Sequence, residues 1–217
     1  MIRILIADDH TLVREGLKQI LQGAADFHVG GEASNGLEVL ALVRREDWDV
    51  VLLDMSMPGR SGIELIKQLK DERPHLRILV LTMHGEEQYA VRAFRAGASG
   101  YLTKESASAE LVSAVRKVAA GGVYVSLAMA EKLALNLNPH DQELPHQRLS
   151  DREFDVFRRI VAGQTISEIA DQLSVSVKTV STHKTRILQK MEMQTQAELI
   201  RYAIKHNLVD DADNPAP

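Results

Sequence analysis

Along the first 120 residues, short apolar runs alternate with stretches in which apolar side chains return every three or four positions. Ile2–Ala7, broken only by Arg3, and residues 50–53, 78–81 and 99–102 predict buried strands, and a weaker run at 29–33 predicts another before Asn35-Gly36. Between them, Val13, Leu17, Ile20 and Leu21, then Leu37, Leu40, Ala41 and Val43, then Ile63, Ile66 and Leu69, then Val91 and Phe94, then Leu111, Val115 and Val118 mark amphipathic helices. Ser61 and Glu64 form a capping box at the start of the third helix. Continuous apolar strands separated by helices of this length predict five βα units and a parallel sheet covered on both faces.

The pattern changes after Gly121-Gly122. Pro139, Pro145 and mixed polar residues surround one short apolar segment at 127–137, which predicts a linker containing a single helix. From Leu149 onward there is no strand pattern. Ser150 with Glu153, Thr165 with Glu168, and Thr195 with Glu198 predict three capped helices, and residues 173–176 form a short turn leading into another helix near Val177. Four short helices with a tight turn between the middle two predict a helix-turn-helix. The chain therefore divides into residues 1–120, a linker at 121–147, a helical domain at 148–208 and an acidic tail at 209–217.

Charge sharpens this division. The formal net charge of −4 gives no sign of a nucleic-acid binder, yet residues 1–147 hold 16 basic and 20 acidic side chains while residues 148–208 hold 10 and 7. The tail adds three Asp and no base. Zero cysteines exclude a disulfide scaffold, thiol catalysis and thiolate zinc sites. With no apolar run long enough to cross a bilayer and no secretory leader pattern, a soluble cytoplasmic protein without a membrane partner is expected.

In an open parallel sheet, ligands bind beyond the carboxyl ends of the strands. The residues there are Asp8 and Asp9 after the first run, Asp54 after the third, Thr82 after the fourth and Lys104 beyond the fifth. A single acid at a strand end is often only a helix cap, but five such residues at matching strand ends predict one crevice. Carboxylates crowded together resist ionisation unless a cation is shared, and an all-oxygen site suits Mg²⁺. Asp54, alone at a central strand end, is the candidate nucleophile toward phosphorus, with the Thr82 hydroxyl and Lys104 ammonium as donors to the phosphoryl oxygens.

Asp8-Asp9, the segment Asp54-Met55-Ser56-Met57-Pro58-Gly59 with Gly62, and Thr82, Tyr101 and Lys104 resemble the receiver domain of bacterial response regulators. The resemblance implies a doubly wound, flavodoxin-like five-stranded sheet in the order 2-1-3-4-5. It implies Asp54 as phospho-acceptor from a sensor histidine kinase, and Mg²⁺ held by Asp9, Asp54 and the Ser56 backbone carbonyl with help from Asp8. Thr82 and Tyr101 would form a switch pair, and Lys104 would contact the phosphoryl group. Many receivers carry proline directly after this lysine, whereas Glu105 follows here, which argues against a cis bond at about 2.5–4 kcal/mol. Ser56 and His84 flank the expected path of the water that hydrolyses the phospho-Asp.

Residues 174–190 carry Lys178, Lys184, Arg186 and Lys190 with no acid. At 3.6 residues per turn, Val177, Val180, Ile187, Leu188 and Met191 gather on one side, while Lys178, Ser181, Thr182, Thr185, Arg186 and Gln189 face the other. Lys184 falls near the apolar edge and must snorkel; His183 borders the core. Hydroxyls mixed with long bases suit a major groove, and Lys178, Thr179, Ser181, Thr182, Lys184, Thr185, Arg186 and Lys190 are the candidate DNA contacts. Residues 149–153, Gly163, Ile169-Ala170, Leu173 and residues 176–183 resemble the LuxR-type DNA-binding domain of the NarL/FixJ family. This implies double-stranded promoter DNA as partner, dimerisation on phosphorylation with the helix at 195–206 as one dimer surface, and RNA polymerase as a further partner class. A phosphorylation-independent regulator and an aspartyl-phosphate phosphatase are the alternatives. The phosphatase lacks a second Asp two residues after Asp54, where Ser56 stands.

Overall fold

The structure, a computed structural model, describes residues 1–57, 62–83, 87–126, 129–130, 144–206 and 208, with the side chains of 87 and 88 left aside. Ser61 of the expected third capping box, Pro58-Gly59, His84, most of the expected linker helix and the acidic tail lie outside the described residues. The chain forms two compact units, residues 1–137 and 138–217.

The first unit runs β1 (Ile2–Ala7), α1 (Thr11–Gln22), β2 (Phe27–Ala33), α2 (Gly36–Arg45), β3 (Val50–Asp54), α3 (Gly62–Glu72), β4 (Arg77–Thr82), α4 (Glu87–Arg95), β5 (Gly100–Thr103), α5 (Ala107–Ala119) and β6 (Tyr124–Val125). All strands are parallel, in the order β2-β1-β3-β4-β5-β6. The central strands are apolar throughout because helices cover both their faces: every residue of β3 is buried, as are Ile4, Ile6, Leu79 and Leu81 on its neighbours. Asn35 caps α2 by accepting from the amides of Leu37 and Glu38. That helix buries Val39, Leu40 and Val43 and leaves Leu37 and Ala41 exposed, so its apolar face is turned from the one the periodicity suggested.

The sheet has six strands where the sequence predicts five. The sixth consists of two residues from the segment expected to be linker, with Gly100 opposite Tyr124 and Tyr101 opposite Val125. A Cβ on Gly100 would lie 3.2 Å from that of Tyr124 and 2.7 Å from Leu79 Cδ1, so glycine admits the added strand. The Tyr124 hydroxyl donates to Glu110 at 2.6 Å, and Lys117 sits over its ring.

At the opposite edge, the register of β2 on β1 slips between Ile4 and Leu5, a bulge that passes over Gly30. Trp48 fills the space beside it: a Cβ on Gly31 would come within 2.7 Å of its ring. The indole N–H donates to the Leu42 carbonyl at 3.2 Å, and the Arg3 guanidinium lies 5.0 Å from the ring centroid. Gly31→Ala is therefore expected to cost about 1–3 kcal/mol through overpacking against a ring with no room to move. A thermal melt of the variant should show the loss, whereas an unchanged Tm would mean the strand edge yields.

The second unit begins with a 3₁₀ turn, Pro145–Arg148, followed by α6 (Asp151–Val161), α7 (Ile166–Gln172), α8 (Val177–Lys190) and α9 (Gln196–Lys205). Ser150 and Thr165 form reciprocal capping boxes with Glu153 and Glu168. Thr195 accepts from the Glu198 amide, but Glu198 returns to the Gln194 amide rather than closing the expected box. Phe154, Phe157, Ile160, Ile169, Val180, Ile187 and Leu199 build the core. In the turn between α7 and α8, Ser174 adopts a left-handed φ of 52° so that the Val175 amide can reach the Ala170 carbonyl. The buried His146 Nδ1 lies 2.8 Å from the Tyr202 hydroxyl, closing the 3₁₀ turn onto α9.

Candidate functional site

The crevice forms where β1 and β3 end side by side, Ala7 opposite Leu53, so the next residues emerge together. Asp8 and Asp54 are both fully buried, whereas Asp9 keeps 31% of its side chain exposed at the mouth. Lys104, in the turn after β5, is placed by its own amide, which donates to the Thr82 carbonyl at 2.7 Å. Its ammonium lies 2.6 Å from Asp8 Oδ2 and 3.1 Å from Asp54 Oδ2. Apart from Lys104, neither Oδ2 has a hydrogen-bond donor among the described residues. The Ser56 amide donates to Asp54 Oδ1 at 3.2 Å, which folds residues 54–56 into a tight turn with Ser56 exposed. Thr82 and Tyr101 are both buried, so the tyrosine ring is inward here. Gly62 opens α3 with φ +64°, a conformation that favours glycine, close to Met55 and the Tyr89 hydroxyl.

Burial pushes the Asp54 carboxyl above the ordinary carboxylate range; Lys104 pulls it down and Asp8 pushes it further up. Burial alone would lower the Lys104 ammonium, but its contacts with Asp8 and Asp54 outweigh that and hold it above the usual lysine value. Three acids against one base leave a surplus of negative charge in a low-dielectric cleft. That surplus, with two buried carboxylate oxygens lacking other donors, fits a divalent cation of the hard, oxygen-binding kind.

Two neighbours were not singled out from the sequence. His10 donates its amide to Asp8 Oδ1 at 2.9 Å, and its ring joins Asp8, Asp9 and Asp54 as a potential metal-binding group. Arg14 donates from Nη1 to the Asp8 carbonyl at 2.8 Å and from Nε to Glu32 at 2.9 Å, tying the turn after β1 to β2. The signal for both was local: they are one and five residues beyond Asp9, where the turn becomes α1.

In the second unit, α8 buries Val180 and Ile187, with Met191 at its end, while Val177, expected on the apolar side, is half exposed. Lys178, Ser181, Thr182, Thr185, Arg186, Gln189 and Lys190 are exposed. The Thr182 and Thr185 hydroxyls donate back to the Lys178 and Ser181 carbonyls, and Thr179 pairs with the Ser176 hydroxyl beneath the helix start. Lys178 and Arg186 make no ion pair among the described residues, so their charges are available to a ligand. Lys184 donates to Gln196 at 2.7 Å, and Lys190 reaches Glu153 at 2.6 Å, joining α8 to the cap of α6. The Glu153 carboxyl, raised by burial alone, is brought below its usual value by Lys190 and Ser150.

Residues 4–116 match the response regulator receiver domain, and residues 147–203 match the bacterial regulatory proteins of the luxR family. Response regulator UvrY of Escherichia coli (strain K12) is 39% identical over 209 residues, covering 96% of each chain. Response regulator GacA of Pseudomonas aeruginosa is 37% identical over 213 residues, 98% of this chain and 100% of the relative. Among solved structures, RcsB from Salmonella enterica serovar Typhimurium, bound to promoter rprA in the presence of phosphomimetic BeF3-, aligns with a TM-score of 0.69 at 28% identity. That alignment covers 93% of this chain and 98% of RcsB.

Proposed function

The chain belongs to the two-component response regulators that join a receiver domain to a luxR-family DNA-binding domain, and from that premise we propose that Asp54 accepts a phosphoryl group from a sensor histidine kinase and thereby controls promoter binding. The observation that carries this reading is the buried Asp54 carboxylate facing Lys104 at 3.1 Å beside two further acids. A regulator acting in the cytoplasm on double-stranded DNA, as a dimer when phosphorylated, is the role that follows.

The Asp54 carboxylate oxygen attacks phosphorus in line, the new O–P bond forming as the N–P bond to the kinase histidine breaks and the imidazole departs. Asp9, Asp54 and the Ser56 carbonyl, with Asp8 behind them, would hold Mg²⁺, which supplies charge neutralisation for the incoming phosphoryl oxygens. Lys104, held by the turn after β5, donates to one of those oxygens, and the Thr82 hydroxyl to another. Gaining about −1.5 to −2 of charge at Asp54, by analogy with other phosphorylated side chains, draws Thr82 toward it. Tyr101, already buried behind Thr82, stabilises that state by filling the space vacated. The signal reaches DNA only through a difference in affinity between the two states, carried by a dimer reading two half-sites.

With a small phosphodonor and Mg²⁺, the affinity of the full chain for its promoter should rise about 5–150-fold, the usual range of such couplings. Fluorescence anisotropy on labelled duplex measures this, and equal affinity with and without donor would sink the switch.

On α8, Lys178 and Arg186 are assigned to phosphates or guanine edges, while Lys190 is assigned to holding the helix through Glu153. Lys178→Ala should reduce the slope of log K against log salt by about 0.9 if it neutralises one phosphate. Lys190→Ala should instead lower the Tm of the DNA-binding domain and leave the slope unchanged. A salt titration of both variants separates the roles, and equal slope changes would contradict the assignment.

A further inference from the structure

The turn after β1 carries a nitrogen donor into a site whose other groups are all oxygens. His10 stands at the N-cap of α1 with φ −90° and ψ 112°, yet its side chain caps nothing. The ring turns back instead, Nδ1 lying 3.0 Å from Asp9 Oδ1 and 3.4 Å from Asp8 Oδ1. One donor atom each from Asp8, Asp9, His10 and Asp54 falls within 4.8 Å of the others. Ligands on one octahedral ion, at bonds of about 2.0–2.2 Å, sit about 3 Å apart when adjacent and about 4 Å apart when opposite, so a small contraction would close all four onto a single cation.

We propose that His10 is a metal-specificity residue: its imidazole completes the carboxylate site for a divalent transition ion such as Co²⁺ or Mn²⁺, which the site then takes in preference to Mg²⁺. This rests on the reading of Asp8, Asp9 and Asp54 as the metal cradle. Mg²⁺ gains little from imidazole and binds through carboxylate, carbonyl and water. First-row transition ions gain from a nitrogen ligand, with Mn²⁺ at the weak end of the series and Co²⁺ above it. The ring is 66% exposed, so it can turn onto a cation at the mouth of the crevice without repacking the core. Because no helix cap depends on the side chain, it is also free to do so without loosening α1.

The test is calorimetric titration of Mg²⁺ and Co²⁺ into the full chain, with His10→Ala, His10→Gln and Asp54→Asn alongside wild type. Wild type should bind Co²⁺ at least tenfold more tightly than Mg²⁺ at a site that Mg²⁺ competes for. Both His10 variants should lose about tenfold for Co²⁺ while keeping Mg²⁺ within twofold. Paramagnetic shifts of the His10 ring resonances on adding Co²⁺ give an independent readout, which also distinguishes this site from the other seven of the eight histidines. Unchanged Co²⁺ affinity in both variants, or Co²⁺ binding without a shift at His10, would overturn the proposal while leaving the Mg²⁺ site standing. If neither ion binds in a manner lost with Asp54→Asn, the cradle reading itself fails and the role of His10 goes with it.

Discussion

Lys104→Ala is expected to lower the stability of the receiver domain by about 3–5 kcal/mol, because the lysine is the charge partner of two fully buried carboxylates. A ceiling can be placed on the loss. Once unpaired, a carboxylate can take up a proton instead of staying charged, and from an ordinary pKa near 3.9 that costs about 5 kcal/mol at pH 7.5. A domain of this size should lose roughly 10–15 °C in Tm. Two companions identify the cause. Millimolar Mg²⁺ should restore part of the loss, since a bound cation replaces the missing charge and stabilises by mass action, by about 2.7 kcal/mol at a hundred times its Kd. Adding Asp54→Asn to Lys104→Ala should also recover stability. Calorimetric melts of the four proteins with and without Mg²⁺ check this; a Tm within 3 °C of wild type for Lys104→Ala would show that the carboxylates are already neutral.

Asp54→Asn alone is expected to act in opposite directions on function and on stability. Phosphorylation should fall to background on a phosphoprotein gel, and the donor-dependent gain in DNA affinity should vanish with it. Metal-free stability at pH 7.5 should rise by about 1–4 kcal/mol, the range seen when buried ionic groups give way to neutral ones. The direction follows from Asp54 holding its proton more tightly in the folded state than in the unfolded chain. Folded protein then binds more protons than unfolded above a pH near 3.9. Stability contributed by the protonated acid is complete below that value and is lost as pH rises through the raised folded pKa, so at neutral pH the penalty is in force. Removing the charge removes the penalty. In saturating Mg²⁺ the advantage should shrink or reverse, because wild type alone gains the full cation affinity. A variant less stable than wild type without metal would contradict the account of a strained, electronegative crevice.

The features that the sequence made readable are those set by local periodicity. Buried parallel strands show as unbroken apolar runs, and their last residues point into one crevice because parallel strands all end on the same side; hence Asp8, Asp54 and Lys104 meet as expected. Capping boxes at Ser150 and Thr165 are equally local and appear as read. What escaped depends on distant partners. Strand β6 has two residues, too few for any period, and exists because Gly100 leaves room for Tyr124. Lys190 and Lys184 look like two more bases on a DNA-facing helix, and only the tertiary fold shows that Glu153 and Gln196 engage them. The turn of α2 away from Leu37 likewise reflects packing against the sheet rather than the spacing of its apolar residues.

Trp48, pinned between the bulge of β2 and the Arg3 guanidinium, is the one tryptophan in the chain. Its fluorescence is therefore a private signal of the receiver, emitted from a sealed site at the end of the sheet away from Asp54, and the DNA-binding domain contributes nothing to it. Circular dichroism, by contrast, sums the helices of both domains. Denaturation followed by the two methods on the intact regulator thus resolves each domain's unfolding without cutting the chain or adding a label, and any divergence between the curves measures how independently the domains melt.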